Sequence, residues 1–125
     1  MPTPPPAVVI FVANVARVSE FYRHVADMRV EHADADHVVL DGAGMQLVIH
    51  ALRGEPESVA TPVAVREDSY IKPCLPVRRL AEARVAADRL GGHLRPMSDE
   101  WRARGFRACD GHDPEGNVFQ ARELA

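Results

Sequence analysis

The chain reads as an α+β fold: two βαβββ modules forming curved mixed sheets around a cleft. Three observations predict this. A turn-strand segment occurs twice, as Asp41-Gly42-Ala43-Gly44-Met45-Gln46-Leu47-Val48-Ile49-His50 and as Asp113-Pro114-Glu115-Gly116-Asn117-Val118-Phe119-Gln120-Ala121-Arg122. Gly44 aligns with Gly116 and Val48 with Gln120, and an internal repeat points to a repeated structural unit. In each half the apolar spacing runs through the same order of strand, helix, strand, strand, strand. Between the halves, residues 53–69 show little periodicity and carry Pro56 and Pro62.

The elements follow in order. Residues 3–6 are proline-rich and cannot be helical. Residues 7–12 are apolar and β-branched, which predicts a buried strand. Asn14 can cap the helix that follows. In that helix Val15, Val18, Phe21, Tyr22 and Val25 recur at helical spacing, with Arg17, Glu20 and Arg23 on other faces. Strands are predicted over 28–33 and 37–40, around a turn at 34–36, and over 45–51. The second half opens with a strand over 70–77, which Pro73 and Pro76 confine to an edge or a bulge. Leu80, Ala83, Ala87 and Leu90 mark a second helix, ended by Gly91-Gly92. Residues 93–96 are short and extended, and 97–104 read as a loop. Residues 106–110 and 117–122 form the last two strands, around the turn at Asp113-Pro114-Glu115-Gly116.

Composition narrows the field. At 125 residues and 46% hydrophobic content the chain predicts one domain over 1–125. Its first module runs over about 7–52, the linker over about 53–69 and the second module over about 70–123. A half of roughly 55 residues would be marginal alone, so the two are expected to share a core. A net charge of -3 offers no basic field to nucleic acid or an anionic membrane. No apolar run approaches the roughly 20 residues of a membrane span. Residues 1–6 lack the features of an export signal. Cys74 and Cys109 have no CxxC spacing, and reduced thiols in the cytoplasm are the expectation. Of the 15 Lys and Arg residues only Lys72 is lysine.

A doubled βαβββ module with an Asp-Pro-Glu-Gly-Asn-Val-Phe-Gln turn-strand near its end resembles the vicinal oxygen chelate superfamily. That group includes glyoxalase I, bleomycin-resistance proteins and extradiol dioxygenases. The resemblance covers nearly the whole chain. It is carried by residues 113–120, the opening over 8–22 and the strand-to-helix passage over 77–87. It implies a cleft lined by the sheets, pairing of modules between two chains as a homodimer, and, in metal-dependent members, one ligand on the first and last strand of each half. Carried onto this sequence, those positions are Ala7, Val48, Lys72 and Gln120. Ala7 and Val48 carry no donor, and a protonated lysine has no lone pair. Only Gln120 keeps a familiar ligand type, and a single amide oxygen does not hold a divalent ion. No metal and no other cofactor is therefore expected.

Alternation gives a separate reading, because side chains two apart share a strand face. The sets Val8, Ile10 and Val12; Leu47 and Ile49; and Phe119 and Ala121 should pack under the helices. The opposite faces put Gln46, His50, Lys72, Cys74, Gln120 and Arg122 in or near the cleft. Lys72 would attract a carboxylate or phosphate; its alternative is an ammonium that reaches solvent or pairs with a buried carboxylate. Gln120 could bond a ligand, or be satisfied by Lys72 or a neighbouring strand. His50, two residues past the empty Val48 position, is either a substitute ligand or base or a rim histidine. Trp101, Arg104 and Phe106 could close over a ligand by stacking and ion pairing; the alternative buries Trp101 in the core or a dimer contact. His24, His32, His37, His93 and His112 read as surface or turn residues. Cys74 reads as an ordinary thiol.

These residues predict a metal-independent protein that binds a small polar or anionic organic molecule, its charged end near Lys72 and Gln120. Its apolar body would lie near Phe11, Val48 and Val118. The alternatives are a metal-dependent lyase, isomerase or dioxygenase with a rearranged ligand set that includes His50, and an interaction module without a small ligand.

Overall fold

The computed structural model describes residues 2–54 and 59–125. Residues 55–58, part of the expected linker and including Pro56, lie outside the described residues. The first half forms β1 (Ala7–Val12), α1 (Val15–Val25), β2 (Arg29–Ala33), β3 (His37–Gly42) and β4 (Met45–Ala51). The second forms β5 (Cys74–Pro76), α2 (Leu80–Arg89), β6 (His93–Leu94), β7 (Trp101–Ala103), β8 (Phe106–His112) and β9 (Val118–Leu124). The strands make two sheets, one from each half. The first runs β1-β4-β3-β2; the second runs β5-β9-β8-β6, with β7 added to β8. In each sheet the opening strand pairs parallel with the closing strand, β1 with β4 and β5 with β9. The mixed sheets and two helices agree with the α+β expectation.

Three elements differ from their expectation. β1 is buried on one face only: Val12 is fully buried, while Val9 and Phe11 are 47% and 50% exposed. The strand expected over 70–77 shrinks to Cys74–Pro76, and Tyr70 and Ile71 lie exposed before it. The prolines did place it at a sheet edge, where a missing N–H is tolerated. The loop expected over 97–104 holds a short 3-10 turn, Met97–Asp99, and the strand β7. Arg104 and Gly105 join β7 to β8 with φ of 32° and 82°. Positive φ at both central residues is the hairpin turn whose twist matches its flanking strands.

One core joins the halves. Val18, Phe21, Tyr22 and Val25 of α1, the stripe read from the sequence, are buried. Phe21, Tyr22 and Phe119 meet edge to face, with centroids 5.1 to 5.7 Å apart. Leu47 and Ile49 of β4 and Ala121 of β9 face the same interior, as alternation required. Each such fully buried large side chain contributes roughly 1.5–3 kcal/mol relative to exposure. Among the described residues no helix is long and apolar enough to cross a membrane.

The helix starts are held from far along the chain. Asn14 caps α1 as expected, its Oδ1 accepting from Arg17 N at 3.0 Å. The Glu115 carboxylate adds two acceptors, taking Ala13 N and Asn14 N at 2.7 Å each. At α2 the cap residue, Arg79, makes no side-chain cap. There Glu123 Oε1 accepts from Leu80 N at 2.7 Å. The turn that presents Glu115 needs a glycine at Gly116: φ is +86°, and a Cβ would stand 2.1 Å from Ala64 O.

Candidate functional site

Each sheet has one face under the helices and one open face. On the second sheet, register sets Cys74 opposite Gln120, Gln120 opposite Asp110, and Arg122 opposite Ala108, with Ala108 opposite Trp101. Period 2 therefore lines Lys72, Asp110, Gln120, Arg122, Phe106 and Trp101 along one surface. The side chains there are linked. Lys72 Nζ donates to Asp110 Oδ2 at 3.0 Å. Gln120 Nε2 donates to Asp110 Oδ1 at 3.2 Å, and its Oε1 accepts from Arg122 Nε at 2.7 Å. The Arg122 guanidinium lies over the Phe106 ring at 4.4 Å, and Arg104 lies 5.2 Å from the same ring. Trp101 meets Phe106 edge-on at 6.3 Å.

Five of the seven residues singled out by sequence thus come together: Lys72, Gln120, Trp101, Arg104 and Phe106. Lys72 pairs with the part-exposed carboxylate of Asp110, and Gln120 bonds across to Asp110 and along its own strand to Arg122. Trp101 stays partly exposed at 43%. Asp110, which centres the network, was not singled out, because its importance depends on the β8–β9 register. Arg122 was assigned its face by alternation without a role. Among the described residues it pairs with no carboxylate, Gln120 taking only its Nε.

Two cavities flank the network. One of about 400 Å³ is lined by Lys72, Asp110, His93, Arg95 and Val118, among others. A larger one, about 550 Å³, lies between the halves; Met28, Met45, Leu75, Val77, Phe106 and Leu124 give it apolar walls, and Arg122 lines it with them. Three other charged residues line it and are paired: Arg78 with Asp27 on the same wall, at 3.1 Å, and Glu123 with Arg107 while capping α2.

Gln46 and His50 lie apart from this group, on the open face of the first sheet. There Phe11, His50 and His37 form one cross-strand row, Val9, Val48, Val39 and His32 a second, and Ala7, Gln46, Asp41 and Arg29 a third. His50 Nδ1 donates to Ala51 O at 2.8 Å, and its ring stacks on His37 at 5.4 Å. Of the apolar residues expected around the ligand, Phe11 lines a small cavity with Ile71, Pro73 and Val118.

The four ligand positions implied by the resemblance do not suit a divalent ion. Ala7 and Val48 have no donor, and Lys72 is committed to Asp110. Gln120 uses both ends of its amide, toward Asp110 and Arg122.

Comparison with known proteins extends this. The family described as the Glyoxalase-like domain matches residues 7–121. No curated protein matches the chain. Among solved structures, a glyoxalase/bleomycin resistance protein from Albidiferax ferrireducens T118 superposes with a TM-score of 0.69 at 13% identity, covering 96% of this chain and 98% of that one. The fosfomycin resistance protein FosX from Mesorhizobium loti gives 0.66 at 16% identity, covering 100% and 94%. FosX from Listeria monocytogenes, as a mutant complexed with Mn(II) and 1S,2S-dihydroxypropylphosphonic acid, gives 0.67 at 12%, covering 100% and 92%. At these identities the solved structures speak for the fold, while the family match spans most of the sequence. The chain belongs to the Glyoxalase-like domain family, within the vicinal oxygen chelate superfamily.

Proposed function

We propose that the protein binds a small organic molecule carrying an anionic group, without a metal at the family's ligand positions. The observation that carries this reading is Arg122: a guanidinium with no carboxylate partner among the described residues, set against Phe106 at a largely apolar cavity of about 550 Å³. Apolar pockets of that size with a few placed polar groups are the usual form of a small-molecule site. An anion there would pair with the guanidinium while its carbon body covers Met28, Met45 and Leu75. Lys72 and Arg104 add positive charge nearby, Lys72 paired with Asp110, while the cavity's own carboxylates, Asp27 and Glu123, are paired with Arg78 and Arg107. The phosphonic acid held by the Listeria neighbour is a ligand of this kind, and its Mn(II) marks where the reading for this chain departs from it. We also propose a homodimer, supported by the exposed Val9 and Phe11 on the open first sheet.

The test is a calorimetric panel of short alkyl and aryl phosphonates and carboxylates, run in chelator. At least one should bind, and Arg122→Ala should weaken it roughly tenfold or more, the scale of one lost charge-assisted contact. Lys72→Ala should weaken it less. Equal affinity in Arg122→Ala, or binding that vanishes in chelator and returns with a divalent metal, would overturn the proposal.

A further inference from the structure

The open face of the first sheet carries a feature the anion site does not use. We propose that His32, Asp34 and His37 form a site for one divalent transition-metal ion at the β2–β3 turn. It is separate from the family's ligand positions and independent of the anion site proposed above.

The geometry begins with a β-bulge. Between β2 and β3, Val30 pairs with Leu40 but His32 pairs with Val39, so Glu31 is an extra residue. The bulge turns His32 onto the open face beside His37, the kind of re-aiming for which bulges are known. The two rings lie 5.2 Å apart, with Asp34 between the strands. His32 Nε2 is 3.0 Å from Asp34 Oδ2, and His37 Nδ1 is 3.1 Å from Asp34 Oδ1. One ligand atom from each of the three residues lies within 4.8 Å of the others. Around a tetrahedral ion with bonds of roughly 2.0–2.1 Å, adjacent ligand atoms stand roughly 3.3 Å apart, so a small outward shift would admit the ion.

Two further observations fit a ligand set. His37 Nδ1 is buried, and its approach to Asp34 does not make a hydrogen bond, which leaves that nitrogen without a partner among the described residues. The supports around the ligands are also in place. Asp34 Oδ1 accepts from Asp36 N at 2.8 Å and His37 N at 3.1 Å, which fixes the carboxylate. His50 stacks nearly parallel to His37, at 12°, and steadies its ring. Such outer contacts orient metal ligands in known sites. Two imidazoles and a carboxylate favour zinc, nickel or copper over magnesium or calcium. Three protein ligands leave a fourth position for water or another donor.

The proposal is tested on the full chain, without a histidine tag, titrated calorimetrically with Zn²⁺ after chelator treatment. One ion per chain is expected. His32→Ala and His37→Ala should each weaken binding roughly tenfold or more, since each removes one of three ligands, and His24→Ala should not. Substitution with Co²⁺ should give visible bands without a thiolate charge-transfer band. Absence of binding, binding retained in the His32→Ala/His37→Ala double variant, or a thiolate band would each overturn it. Both variants should still bind the phosphonate panel in chelator, so failure here and failure of the anion site read out separately.

Discussion

Asp113 shows what one residue does in this fold. It has no solvent exposure and uses both carboxylate oxygens. Oδ1 accepts from Glu115 N and Asn117 N, at 2.8 and 3.0 Å; Oδ2 accepts from Asn117 Nδ2 and Tyr22 Oη, at 2.9 Å each. Burial raises its carboxyl above the usual range, and these donors oppose the rise. Asp113→Ala would strand several buried donors and should cost about 3 kcal/mol in urea unfolding, with Tyr22→Phe costing about 1 kcal/mol. A loss within error for Asp113→Ala would contradict this account. Alternation found the open faces, because Lys72, Gln120 and Arg122 need only period 2 to be placed. Asp110 and the His32–Asp34–His37 group were not legible, since they depend on cross-strand register and on a bulge that no local pattern announces. A short His-x-Asp-x-x-His spacing, spanning residues 32–37, was the only available signal.

At the scale of elements, α2 illustrates a start that sequence reading cannot supply. Its cap, Glu123, lies on β9, 43 residues from Leu80. Arg107, ahead of the Leu80 N–H, holds the Glu123 carboxyl below its ordinary value of 4.5. A depressed folded value means stability that is present above about 4.5 and lost as pH falls below it. The melting gap between wild type and Glu123→Gln should therefore be largest near neutrality and shrink as pH falls from about 5 to 3. A gap independent of pH over that range would remove the ionised carboxylate from the explanation. The helix positions themselves were plain from their apolar stripes, and β4 was read to the residue. β5 and β7 were misjudged because they are three residues each, too short for alternation to register.

At the scale of the molecule, the two open faces raise the matter of what covers them. The first sheet leaves Val9 and Phe11 about half exposed. If two chains pair through that face, Phe11→Asp should convert a dimer to a monomer in sedimentation analysis while leaving the helical circular dichroism unchanged. A Phe11→Asp chain that still sediments as a dimer would place the contact elsewhere. Inside one chain, the halves are bound by Phe21, Tyr22 and Phe119 and by the grip of Glu115 on the residues ahead of α1. That grip has a temporal side. Ala13 and Asn14 are made 102 and 101 residues before their acceptor, Glu115. The start of α1 therefore stays incomplete until the turn that carries Glu115 has been made.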